Sequence, residues 1–210
     1  MAKSVFFCKK FSKNCPYKNA KKSVIITLLK NKNSTGEEVM FSKGDKVIYG
    51  TSGVCTVVDI TTSPFGGGDL RIYYVLKPLD DNASVIYTPA EGGKVVVRAM
   101  LTPEEAKSLI SRKDEISVIT VTSEKYRRDS YRAALSSADP EKYISIIKTV
   151  ASRRKYALRT HRQLAITDTE YERNAKYCLY NELSLVFGIT FDEVEQMLAI
   201  TDKSHVENQK

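Results

Sequence analysis

The stretch Lys46-Val47-Ile48-Tyr49-Gly50-Thr51-Ser52-Gly53-Val54-Cys55-Thr56-Val57-Val58-Asp59-Ile60 decides the fold class of the first half of the chain. Its two runs are β-branched and aromatic, which suits a half-buried pleated surface. The glycines between them permit the positive φ of a tight turn. Downstream, the turn cluster Pro64-Phe65-Gly66-Gly67-Gly68-Asp69 precedes a third run, Leu70-Arg71-Ile72-Tyr73-Tyr74-Val75-Leu76. A turn from Pro78 to Ala83 leads into Ser84-Val85-Ile86-Tyr87-Thr88, and Pro89-Ala90-Glu91-Gly92-Gly93 leads into Lys94-Val95-Val96-Val97. Five short strands with turn signals at intervals of about 8–12 residues predict a small barrel, a fold that binds more often than it catalyses. Such a barrel retains edges, and an exposed edge can pair with a partner's strand. Tyr73, Tyr74, Ile86 and Tyr87 either serve that surface or fill the barrel.

Helix signals take over at Thr102. Thr102-Pro103-Glu104-Glu105 combines an N-cap, proline at the first helical position and a capping-box glutamate. Ser123 opens a helix through Tyr126, Tyr131, Ala134 and Leu135. Asp139-Pro140 opens the longest one expected, with Ile144, Ile147, Val150 and Ala151 along one face. Thr167-Asp168-Thr169-Glu170 reads as the cap of the next, which buries Ala175, Cys178, Leu179, Leu183, Val186 and Phe187 and stops near Gly188. Thr190-Phe191-Asp192-Glu193 repeats the capping box before Val194, Met197 and Leu198. The expected architecture is α+β, all-β then all-α: a five-stranded barrel followed by a compact bundle of four or five helices.

The first 39 residues differ from both parts. They are rich in Lys, Ser and Asn, show no sustained period, and read as a basic arm or a poorly ordered extension. Gly36-Glu37-Glu38 can be encoded by a purine run like a ribosome-binding site, so the favoured expectation is a mis-set start, with translation beginning at Met40. The expected divisions are therefore 1–39, a barrel over 40–98 and a helical domain over 99–205.

The net charge of +8 is unevenly spread. Residues 1–39 carry +7, residues 40–118 carry −1, residues 119–164 carry +7 and residues 165–210 carry −5. The basic segment includes Arg127, Arg128 and Arg132 on one helix and Arg153, Arg154, Lys155, Arg159 and Arg162 near the end of another. Basic groups there complement the helix dipole, but a +7 block beside a −5 block reads as a polarised surface that contacts nucleic-acid phosphates.

Catalytic and metal chemistry find little support. Cys8, Cys15, Cys55 and Cys178 are scattered, and His161 and His205 are the two histidines, which does not make the closely spaced ligand set of a zinc site. Gly66-Gly67-Gly68 lacks the Gly-Lys-Ser/Thr of a phosphate cradle. His161 has no nucleophile near it, Asp80-Asp81 is a turn pair, and Asp192, Glu193 and Glu195 start a helix. No nucleophile–base–orienter set emerges, so no enzyme and no cofactor are expected. The apolar run Val24-Ile25-Ile26-Thr27-Leu28-Leu29 is too short to span a bilayer, and a soluble cytoplasmic protein with no membrane partner is expected.

Met40-Phe41-Ser42-Lys43-Gly44-Asp45-Lys46-Val47-Ile48-Tyr49-Gly50 followed by Gly53-Val54-Cys55 resembles the opening of the CarD-like bacterial transcription regulators. Tyr73-Tyr74-Val75-Leu76-Lys77-Pro78 and Ile86-Tyr87-Thr88-Pro89 resemble that family's later barrel strands. Tyr131 to Asp139, Ile146-Ile147-Lys148-Thr149, Thr167 to Tyr171 and Glu182-Leu183-Ser184 resemble its helical domain. The resemblance implies a Tudor- or SH3-like barrel that binds the β subunit of RNA polymerase, partly by strand pairing. It also implies a helical domain touching promoter DNA at the upstream edge of the transcription bubble, so that the protein modulates open-complex stability. The transcription-repair coupling factor carries the same barrel, but no helicase motor is present here. Many members wedge a tryptophan into the minor groove at the start of the helical domain; this chain has no tryptophan and offers Thr120 and Tyr126 there.

Edge and resemblance together place polymerase contact on Arg71, Tyr73, Val85, Ile86, Tyr87, Thr88 and Pro89. DNA contact falls on Tyr126, Arg127, Arg128, Arg132, Arg153, Arg154 and Lys155. The expected protein is a non-catalytic monomer at the nucleoid, held there by polymerase. The rival readings are an RNA- or ribosome-binding module and an adaptor whose basic helices dock an acidic protein.

Overall fold

The two β-branched runs pair across their glycine turn. A computed structural model describes residues 31–32, 38–39, 41–63, 70–79, 84–120 and 123–198. Strands β1 (Asn31–Lys32) and β2 (Glu38–Val39) form a separate two-stranded antiparallel pair. The rest of the expected 1–39 extension, the 64–69 turn cluster and residues 80–83 lie outside the described residues.

Strands β3 (Lys46–Tyr49), β4 (Val54–Ser63), β5 (Arg71–Pro78), β6 (Ile86–Pro89) and β7 (Val97–Ala99) make one antiparallel sheet in the order β6-β5-β4-β3-β7. A 3-10 turn at Gly50–Ser52 joins β3 to β4, closed by the Tyr49 N–H donating to the Gly53 carbonyl at 2.9 Å. Both glycines are required: Gly50 has φ 44° and Gly53 φ 69°, and a Cβ on Gly50 would sit 2.5 Å from Val95 Cγ1. Alternate residues turn inward, so Val47, Cys55, Val57, Tyr74 and Leu76 bury together with Phe41 and Ala90. A register shift between Val57 and Asp59 bends β4. The final strand falls at 97–99 rather than the expected 94–97, because Val97 is the residue that pairs with Tyr49 while Val95 and Val96 stay exposed.

Among the described residues, five helices follow: α1 (Pro103–Ser111), α2 (Glu124–Ser136), α3 (Pro140–Arg159), α4 (Ile166–Phe187) and α5 (Phe191–Met197). The architecture is α+β. Capping boxes form at Thr102/Glu105 and Thr190/Glu193, and the Asp139 side chain caps α3. Two expectations are corrected. The longest helix is α4, not α3. Its N-cap is Ala165, and Thr167-Asp168-Thr169-Glu170 lies inside it, because Asp168 turns inward to meet two arginines. Leu109, Tyr131, Leu135, Tyr143, Ile144, Ile146, Ile147, Val150, Cys178, Leu179 and Leu183 form the helical core. A smaller apolar cluster of Ile48, Val54 and Ala138, flanked by Met100 and Leu185, joins the sheet to the helices.

Candidate interaction surfaces

Strand β6 ends the sheet, and its residues alternate as a half-buried edge requires. It pairs with β5 through Leu76↔Ile86, Val75↔Tyr87, Tyr74↔Thr88 and Tyr73↔Pro89. Ile86 packs against the sheet core and Thr88 is buried, whereas Val85 and Tyr87 are exposed. Burial raises the Tyr49 phenol's pKa, and a hydrogen bond to Thr88 pulls the other way. Arg71 is exposed at the start of β5, opposite Ser63, and Tyr73 is buried. Of the seven residues expected at this surface, Arg71, Val85 and Tyr87 face solvent, Ile86 and Pro89 are half-buried, and Tyr73 and Thr88 are buried on opposite faces of the sheet.

The basic segment divides in a way that its spacing did not announce. Arg127 is buried, and its Nε donates to Asp168 Oδ1 at 2.9 Å. Arg153 Nε donates to the other oxygen of the same carboxylate, also at 2.9 Å, with its own side chain 40% exposed. Arg154 forks onto Glu172, which Lys176 approaches at 3.8 Å. The basic and acidic blocks are therefore partly interlocked rather than two separate poles. Arg127 is an interior structural residue, which corrects its place among surface phosphate contacts. Arg128 and Arg132 are exposed on α2 and have no ion-pair partner among the described residues, and Lys155 is half-buried on α3.

An apolar component sits beside this charge. Tyr126 is 66% exposed on α2. On α3 and α4, Tyr156 is 62%, Leu158 73% and Ile166 78% exposed. Tyr156 borders a cleft of about 320 Å³ that Arg153, Ala157, Arg162 and Leu164 also line. Sequence reading did not select these three residues. Their signal is one of phase: Ala157 continues the core stripe of α3, and Tyr156 and Leu158 each fall about 100° off it. Among the described residues, no group of three or more His, Cys, Asp or Glu could hold a metal, and no helix is long and apolar enough to cross a membrane.

Residues 41–100 match the family model of the CarD-like/TRCF RID domain. This segment is a CarD-like RNA polymerase-interacting domain. The match runs from Phe41, beside the β3 strand, to Met100, just past β7, so it covers the whole five-stranded sheet. No curated protein matches the chain. The CarD-like domain connects the protein to transcription; the helices after Met100 lie beyond the match.

Proposed function

We propose that this chain is a non-catalytic transcription regulator in which the CarD-like domain, its sheet coiled as a Tudor-like barrel over 40–98, docks on the β subunit of RNA polymerase along β6. The helical part, 99–205, contacts promoter DNA near the upstream edge of the bubble and modulates the stability of the open complex. The observation that carries this reading is the domain match over 41–100 on a sheet whose end strand offers Val85 and Tyr87 to solvent. Main-chain pairing at such an edge supplies affinity, and the outward side chains supply specificity. On the helical side Arg128, Arg132 and Lys155 supply phosphate contact. Arg153 and Arg154 reach phosphate only in competition with Asp168 and Glu172. Tyr126, exposed on α2, meets an unstacked base step in this reading. The protein acts as a monomer, at the nucleoid through polymerase.

Promoter-complex lifetime tests this reading. Addition of the protein to polymerase and a promoter duplex changes the lifetime of the competitor-resistant complex, and Tyr126→Ala reduces that change. A lifetime that does not respond to the protein at any promoter overturns the proposal. Equal binding to structured RNA in the absence of polymerase moves the RNA-binding alternative ahead of it.

A further inference from the structure

Arg98 makes the most concentrated set of polar contacts between the sheet and the helices. It lies on β7, and its guanidinium forks onto Glu182 of α4, with Nη1 to Oε1 at 2.6 Å and Nη2 to Oε2 at 2.7 Å. Its Nε donates to the Ala138 carbonyl in the turn between α2 and α3. Glu182 is fully buried and also accepts the Leu101 backbone N–H at 2.9 Å, just after β7. One side chain therefore ties the last strand to α4 and to the turn that joins α2 and α3. Ala138 is buried with φ 53°, a left-handed conformation that alanine rarely adopts, and its carbonyl is the one that Arg98 holds.

Among the described residues, apolar side chains also pack across the seam. It holds the small cluster of Ile48, Val54 and Ala138, and long hydrogen bonds from Tyr143 to the Gly50 carbonyl at 3.4 Å and from Cys178 Sγ to the Thr51 carbonyl at 3.6 Å. Apolar burial is non-directional and tolerates rotation, whereas a bidentate guanidinium–carboxylate fork sets both distance and plane. A buried ion pair is a weak source of stability compared with apolar residues of similar volume, and its best use is to specify one arrangement.

We propose that Arg98 and Glu182 are positioning residues that fix the direction of the helical DNA-contacting surface relative to the polymerase-bound sheet. The inference rests on the function proposed above. Neither binding event needs the pair by itself. Their joint action does, because two linked contacts reinforce each other only when geometry lets both engage.

The test uses the full chain carrying Arg98→Met with Glu182→Gln. This combination removes the buried charges together and keeps a side-chain carbonyl for the Leu101 N–H. Retention of polymerase and binding to a promoter duplex alone stay within about twofold of wild type, while the effect on promoter-complex lifetime falls about tenfold, a modest share of the gain that linkage provides. Residual dipolar couplings give one alignment tensor for sheet and helices in the wild type and two in the variant. Arg98→Lys, which keeps the charge and loses the fork, serves as second variant if the double one does not fold, with the same expected pattern. Unchanged lifetime and a single tensor overturn the inference, as does a parallel loss of both separate binding activities, which marks a merely structural pair. If the wild type fails to retain polymerase, the functional reading falls, and the couplings still decide whether the pair sets the orientation.

Discussion

Replacing Asp168 is the sharpest test of how the basic segment is built. Its carboxylate is fully buried and accepts one hydrogen bond from each of Arg127 and Arg153, both at 2.9 Å. The two arginines differ in access to water: the Arg127 side chain is 6% exposed and that of Arg153 is 40% exposed. Asp168→Ala strands the Arg127 guanidinium in the interior and costs about 3–5 kcal/mol, the range for breaking a buried pair from one side. For a chain of this size, each kcal/mol lowers Tm by about 2–4 °C, so a fall of about 6–20 °C is expected. Arg127→Ala leaves Asp168 paired to Arg153 and costs about 1.5–3 kcal/mol, the worth of a charged hydrogen bond. Arg153→Ala gives up a partner that water can partly replace and costs at most about 1 kcal/mol. Arg127→Met combined with Asp168→Leu recovers much of the single-variant loss, because apolar residues replace the buried pair and Arg153 retains solvent. Calorimetric Tm values for the four variants read the series directly. An Asp168→Ala Tm within about 2 °C of wild type, or an Arg153 substitution costlier than the Asp168 one, refutes the reasoning.

Three further outcomes follow from the same geometry. Neutralising Arg128 or Arg132 reduces the salt slope of DNA binding by about one unit each, whereas Arg127→Ala, measured well below its Tm, leaves the slope unchanged; filter-binding titrations in increasing KCl check both. Glu193 is held below the ordinary carboxylate range by the Thr190 backbone N–H and then its hydroxyl. Its contribution is therefore present above its unfolded pKa and lost as pH falls through the lower folded value, so α5 loosens in acid; amide shifts across Phe191–Met197 report this, and Glu193→Gln flattens the response. Burial raises the thiols of Cys55 and Cys178 to about 11. Iodoacetamide at pH 8 therefore labels their peptides only as fast as the protein unfolds, and rapid labelling of the native protein contradicts the burial.

The parts of this fold legible in the sequence are those whose cause is local. Gly50 and Gly53 mark the β3–β4 turn because the backbone there needs positive φ. Thr102 with Glu105, and Thr190 with Glu193, mark helix starts because both partners of each cap lie within one turn. Legibility ends where the partner is remote. Nothing near Arg127 announces Asp168, 41 residues away, so a buried arginine reads as a surface cation, and the same pairing makes Thr167–Glu170 look like a cap. The edge character of Tyr87 could be expected from its strand. The exposure of Tyr156 and Leu158 carries only the signal of their phase beside Ala157 on α3, and that of Ile166 depends on how α3 and α4 pack.

The central claim is that the CarD-like domain tethers this chain to RNA polymerase through β6, and co-purification tests it most directly. Full-length protein is immobilised, bacterial RNA polymerase is passed over it, and retention is compared between wild type and a variant carrying Ile86→Asp with Tyr87→Ala. The account predicts that the wild type retains polymerase and that the variant, still folded by circular dichroism, retains far less. Absence of retention by the wild type, or retention equal in the two, contradicts it.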